Sequence, residues 1–114
     1  MKIIDLGNGA ECRIDADGGD KHWYLNGKRH RTDGPAVERA DGEKIWFLNG
    51  NLHRTDGPAI EWGDGDKEWF LNGKLHRTDG PAVEDANGDK YWYINGIEYS
   101  EEDFDQVKEV LWAI

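Results

Sequence analysis

The sequence repeats itself every 23 residues, and that period constrains the fold more than any other feature. Trp23, Trp46, Trp69 and Trp92 are spaced by 23 residues each. Around them the text recurs as Lys44-Ile45-Trp46-Phe47-Leu48-Asn49-Gly50 and Lys67-Glu68-Trp69-Phe70-Leu71-Asn72-Gly73, with Lys21 to Gly27 and Lys90 to Gly96 in the same frame. Between these segments runs His-Arg-Thr-Asp-Gly-Pro-Ala, at His30 to Ala36, His53 to Ala59 and His76 to Ala82, followed by Val37-Glu38, Ile60-Glu61 and Val83-Glu84. Three full units with partial units at both ends cover roughly residues 10–99. A unit this short cannot bury a core alone, so neighbouring units must stack.

Each unit reads as strands. Ala36-Val37-Glu38 is a short β-prone run, and Lys44 to Leu48 alternates. Between them Asp41-Gly42, with its counterparts Gly18-Gly19, Asp64-Gly65 and Asn87-Gly88, predicts a two-residue hairpin turn with both central residues at positive φ. Asn-Gly, at Asn26, Asn49, Asn72 and Asn95, makes a second turn, and Thr-Asp-Gly-Pro a third. Three full reversals per unit would flip alternate units, and identical units would then not stack by translation. The stretch from Asn-Gly to Asp-Gly-Pro therefore acts as one compound return with one net reversal. Each unit then adds two strands, about 10 Å of sheet at about 4.8 Å per strand.

The expected fold is mainly β: an elongated antiparallel β-ribbon of stacked hairpin repeats with a C-terminal capping α-helix. One domain spans 1–114, with an N-terminal capping hairpin over 1–20, repeats over 21–99 and a helical segment over 100–114. The first hairpin turns at Gly7-Asn8-Gly9. Ser100-Glu101-Glu102-Asp103 resembles a capping box. Phe104, Val107, Leu111 and Ile114 follow on one face of a helix from about 101 to 113.

The charge excludes several functions. There are 24 Asp plus Glu against 14 Lys plus Arg, a formal net charge of −10. Direct binding to nucleic acid needs a basic stripe, and an acidic membrane surface would repel the chain. A basic protein partner, or mimicry of nucleic-acid charge, stays open. A single cysteine, Cys12, excludes a disulfide scaffold and suits a reducing compartment. No signal peptide is visible in Met1 to Asp5, and no stretch approaches the roughly 18 apolar residues of a membrane helix. The expected location is cytoplasmic.

With Leu71-Asn72-Gly73-Lys74-Leu75-His76, an aromatic pair just upstream and a 23-residue period, the units resemble MORN-type repeats. The closer likeness is the bacterial variant of toxin–antitoxin-associated and phage-encoded proteins. The resemblance covers about 90 residues and implies hairpins stacked into a ribbon that binds or scaffolds rather than catalyses. The chain departs from the common motif where MORN repeats have glycine after the histidine: it has Arg-Thr-Asp-Gly-Pro. Arrays carrying His-Arg-x-Asp-Gly-Pro-Ala also look like small phage proteins. For a phage-encoded chain the compartment would be the host cytoplasm.

The recurring His-Arg-Thr-Asp invites an active-site reading. A metal site there is not expected, because His30 with Asp33 offers only two ligands and the next loop is about 10 Å away. The structural reading has Asp33, Asp56 and Asp79 accepting backbone N–H groups, and Arg31, Arg54 and Arg77 pairing with an Asp of their own or a neighbouring loop. Alternatively, Arg31, Arg54, Arg77 with His30, His53, His76 hold a small anion such as a nucleotide by forked hydrogen bonds. Glu38, Glu61 and Glu84 facing Lys21, Lys44, Lys67 and Lys90 read as cross-strand charge pairs. No nucleophile–base pair can be named, and no cofactor is expected.

Trp, Leu and Val37, Ile60, Val83 are expected to form the main core. The opposite face carries the variable set His22, Ile45, Glu68 and Tyr91 with the row Tyr24, Phe47, Phe70, Tyr93. That row is either exposed for a partner or covered by the helix. Trp62, whose equivalents are Arg39 and Asp85, has no duty in the repeat and suits an interface anchor. Trp112 reads as packing. The acidic tail, Glu98, Glu101, Glu102, Asp103, Asp105 and Glu109, suits a basic groove on a partner. The expected function is a non-catalytic acidic protein-binding module, using Trp62, Ile45, the aromatic row and the tail. Its partner is another protein, a nucleic-acid-binding one included, and the resemblance to small phage proteins implies inhibition of a host or defence protein.

Overall fold

The computed structural model describes residues 1–112, the last by its backbone alone. The strands are β1 (Lys2–Gly7), β2 (Ala10–Ile14), β3 (Lys21–Leu25), β4 (Lys28–Arg29), β5 (Val37–Glu38), β6 (Lys44–Ile45), β7 (Phe47–Leu48), β8 (Asn51–Leu52), β9 (Ile60–Glu61), β10 (Lys67–Glu68), β11 (Phe70–Leu71), β12 (Lys74–Leu75), β13 (Val83–Glu84), β14 (Lys90–Ile94) and β15 (Ile97–Tyr99), followed by α1 (Glu101–Trp112). The main sheet runs β1-β2-β3-β5-β6-β9-β10-β13-β14-β15, antiparallel throughout and open at both ends. The molecule is elongated, 49 × 33 × 17 Å.

The compound return is real. β8 runs antiparallel to β7, and β9 runs antiparallel to β6, which continues through Trp46 into β7. The chain therefore reverses once between Asn-Gly and the end of the loop, and each unit contributes two strands to the sheet. All hairpins of the Asp-Gly kind consequently fall on one long edge and all Asn-Gly turns on the other.

The two turns differ in kind. Asn49 and Gly50 both have positive φ, 50° and 83°, and close the pair Leu48–Asn51 as a two-residue turn. At Asp41-Gly42 only Gly42 is positive, at 96°. Arg39 N–H donates to Glu43 O at 2.9 Å, so the loop is Ala40-Asp41-Gly42, three residues rather than the expected two. One residue more flips the side-chain parity of the strand before it. Val37 therefore faces Ile45, not Trp46.

This corrects the expected core. Directly opposed residues share a face, and the register strings His22, Val37, Ile45, Ile60, Glu68, Val83 and Tyr91 into one row. Val37 and Ile60 are buried within that row, while Trp23, Trp46, Trp69, Trp92 and Leu25, Leu48, Leu71 are half-buried on the other side of the parity break, and their equivalent Ile94 is buried. Ala36, Ala59 and Ala82 are fully buried where each loop rejoins the sheet. The other row is the expected charge ladder: Lys21, Glu38, Lys44, Glu61, Lys67, Glu84 and Lys90 alternate in sign across the strands.

The helix starts where the sequence places it. Ser100 Oγ accepts from Asp103 N–H at 3.1 Å, and Glu101, Glu102 and Asp103 occupy the first turn, favoured by the helix dipole. Phe104 is buried, and the helix packs chiefly on β14 and β15. Ile114, expected on the same helix face, and the side chain of Trp112 lie outside the described residues. Among the described residues no helix is long and apolar enough to cross a membrane.

Candidate functional site

The loop arginines are locked from several sides. Arg77 lies over the Trp69 ring at 3.9 Å, a cation–π stack. Its Nε donates to Asp79 at 2.8 Å, and its Nη1 donates to Pro81 O at 3.0 Å and Glu84 at 3.1 Å. On its far side is Gly80, where a Cβ would stand 2.8 Å from the guanidinium carbon. The invariant glycine of the loop is thus a steric necessity, with no positive φ involved. Arg31 and Arg54 repeat the arrangement over Trp23 and Trp46 at 4.0 and 3.8 Å. The hydrogen bond from each arginine, then its charge, holds Asp33 and Asp56 below the usual carboxylate range. These pairs lie within one loop and do not bridge units.

The histidines bridge them. Nδ1 of His30, His53 and His76 accepts the backbone N–H of Asn49, Asn72 and Asn95 in the following unit, at 2.9, 3.0 and 3.0 Å. The next amide, of Gly50, Gly73 or Gly96, donates to the carbonyl of Arg29, Leu52 or Leu75. Arg31, Arg54 and Arg77 donate their own N–H to Phe47, Phe70 and Tyr93 O. Burial lowers the His76 pKa, which suits an unprotonated acceptor.

The three loops line up along the sheet and do not converge on one centre. Adjacent loops do bound a shared groove. One of about 550 Å³ is lined by Arg54, Asp56, Trp69, His76, Arg77 and Asp79 among others. A smaller one, about 370 Å³, lies between the first loop and Leu6 and Ala10 of the N-terminal hairpin.

The most concentrated charge lies elsewhere, on the Asp-Gly edge. Asp15, Asp17, Asp20, Asp41, Glu43, Asp64, Asp66, Asp85 and Asp89 occupy its four turns, with Arg39 the one basic residue among them. Asp20 and Asp66 each reach across to the next turn, accepting from Ala40 N–H at 2.9 Å and Ala86 N–H at 2.6 Å. Partial burial, then the carboxylates of Asp66, Asp89 and Asp64, raise the Asp85 pKa. The negative edge is felt from one unit to the next.

The expected partner-binding residues are spread over one face and one end. Tyr24, Phe47, Phe70 and Tyr93 are half-buried beside Arg29, Leu52, Leu75 and Glu98, the residues opposite them on the return strands. Arg13 of the N-terminal hairpin lies over the Tyr24 ring at 4.4 Å, and Arg29 of the preceding unit lies 5.7 Å from the Phe47 ring. Ile45 is half-buried, and Trp62 is 38% exposed. Trp62 Nε1 donates to Glu68 at 2.6 Å, joining the two variable positions of its unit. Glu101, Glu102 and Asp103 are exposed at the far end of the array.

The sequence reading missed the histidine bridge and the arginine–tryptophan stack. A signal for the first existed: the position of His76 one unit on is Tyr99, in the one unit that has no successor. No protein-family model, curated protein or solved structure matches the chain.

Proposed function

We propose that the chain is a non-catalytic, MORN-like protein-binding module that presents its acidic edge to a basic, nucleic-acid-binding surface of another protein. The observation that carries this reading is the row of nine carboxylates in the four Asp-Gly turns, where Arg39 is the one basic residue within the turns and Lys21, Lys44, Lys67 and Lys90 follow them. The units repeat about every 10 Å along a rigid sheet, so the charges are held at fixed intervals rather than on a floppy tail. Such an edge speeds encounter with a basic partner and excludes acidic ones. The acidic start of α1 extends the charge, and Trp62 supplies an apolar anchor next to it. The likeness to small phage proteins supports inhibition of a host or defence protein, in the host cytoplasm.

The alternative reading, sequestration of a small anion such as a nucleotide, draws on the groove between loops with Arg54, Arg77 and His76 on its walls. It has less behind it, because Nε and Nη1 of each loop arginine already donate within the protein.

Affinity capture from host lysate, with wild type beside a variant carrying Asp41→Asn, Asp64→Asn and Trp62→Ala, tests the reading. A partner released by salt and by double-stranded DNA, and lost in the variant, supports it. A partner held equally by the variant and insensitive to both contradicts it. Heat on titration with a nucleotide would move the weight to the alternative.

A further inference from the structure

The four histidines are not alike. Three have Nδ1 bonded to a backbone N–H, whereas Nδ1 of His22 is buried without a hydrogen-bond partner. Native structures rarely leave such an atom unpaired. His22 follows Asp20 by two residues on the same strand path, so period-2 geometry directs the two to one face. Across the turn, Asp15 N–H donates to Asp20 O at 3.0 Å, which brings Asp15 alongside. One ligand atom from each of Asp15, Asp20 and His22 lies within 4.8 Å of the others.

This turn is built differently from its counterparts. Its loop is Ala16 to Gly19, one residue longer than Ala40 to Gly42. In the second unit the corresponding positions hold Arg39 and Glu43, paired at 2.9 Å, with Ile45. In the third they hold Trp62, bonded to Glu68, with Asp66. Among the described residues only the first turn assembles a ligand cluster of this kind.

We propose that Asp15, Asp20 and His22 bind a divalent first-row cation, with zinc the best match. Two carboxylates and one imidazole suit zinc, and a three-residue set leaves a fourth position for water or a partner's side chain. Asp20 also accepts from Ala40 N–H through Oδ1, and its Oδ2 is 3.6 Å from Arg39 Nη1. Those contacts orient the carboxylate and leave lone pairs on both oxygens.

The test is calorimetric titration of the chelator-treated full chain with zinc chloride at neutral pH, with circular dichroism to confirm folding of each variant. One equivalent should bind, about tenfold or more weaker in His22→Ala and in Asp15→Asn, and unchanged in His53→Ala. Cobalt(II) should give visible absorption bands that His22→Ala alters. The absence of heat with zinc and of bands with cobalt overturns the site. So does binding that survives His22→Ala, or that His53→Ala removes.

Discussion

Nδ1 of His53 accepts the backbone N–H of Asn72 at 3.0 Å, 19 residues further along the chain and one unit further along the sheet. His30 with Asn49 and His76 with Asn95 repeat it. A side chain that tolerates no proton on its acceptor nitrogen thus fastens the Asn-Gly turns at Asn49, Asn72 and Asn95 to the unit before, whereas Asn26 N–H donates to Gly9 O.

Acid should loosen the stack. The folded pKa of His76 is below its ordinary value of 6.5, so the unfolded chain binds the proton more readily. Stability from this group is therefore fully present above about pH 6.5 and is lost as pH falls through the lower, folded pKa. Thermal melts should be flat from neutral to mildly basic pH and drop on acidification. His76→Asn retains an acceptor near the same place without titrating, and should flatten the acid limb. A melt equally acid-sensitive in that variant contradicts the assignment.

The loop arginine should resist conservative replacement. Arg77→Lys keeps the charge but cannot stack flat on Trp69 while donating to Asp79, Pro81 and Glu84. A loss of about 1–3 kcal/mol in denaturant unfolding is expected. Asp79→Asn, at an exposed pair, should cost less than about 1 kcal/mol. Gly80→Ala should cost about 1–3 kcal/mol by forcing the guanidinium aside.

How far the fold could be read in advance depended on how local each signal was. The repeat, the compound return and the helix start at Ser100 rest on period, turn residues and capping within a few positions, and these were legible. The face of Val37 was not. It hangs on whether the turn at Asp41-Gly42 spans two residues or three, and the recruitment of Ala40 leaves no mark in a pattern tuned to Asn-Gly turns. The histidine bridge was hidden because its partner is a backbone amide in another unit, and every Asn-Gly turn offers one whatever its side chains. The arginine stack was hidden because Trp69 and Arg77 meet only after the chain has reversed.

Neutralising the acidic edge should leave the fold intact. Asp41 and Asp64 accept from the backbone N–H two residues on, and Asn87 already makes the same bond with its amide oxygen. Asp41→Asn with Asp64→Asn should therefore melt at or slightly above the wild-type temperature, since like charges are removed. The same double variant should bind the captured partner more weakly and with a shallower salt dependence. A fall in melting temperature of several degrees would show that the edge is structural instead.

Trp62 separates binding from folding in the same way. It is 38% exposed, and its side-chain hydrogen bond to Glu68 has no counterpart at Arg39 or Asp85, which share only its backbone turn bonds. Trp62→Ala should cost less than about 1 kcal/mol of stability. Its effect on partner affinity should be larger, at least about tenfold, as for an interface anchor.

The ordering of units side by side, each pinned to the last by a histidine, is most directly tested by nitrogen–nitrogen coupling across the hydrogen bond in isotope-labelled protein. At pH 7.5 or so, above the ordinary histidine pKa, the amides of Asn49, Asn72 and Asn95 should each couple to Nδ1 of His30, His53 and His76 respectively. Acidification should abolish the coupling to His76. Histidine rings that show no such coupling, with Nδ1 carrying the proton at neutral pH, would contradict the account.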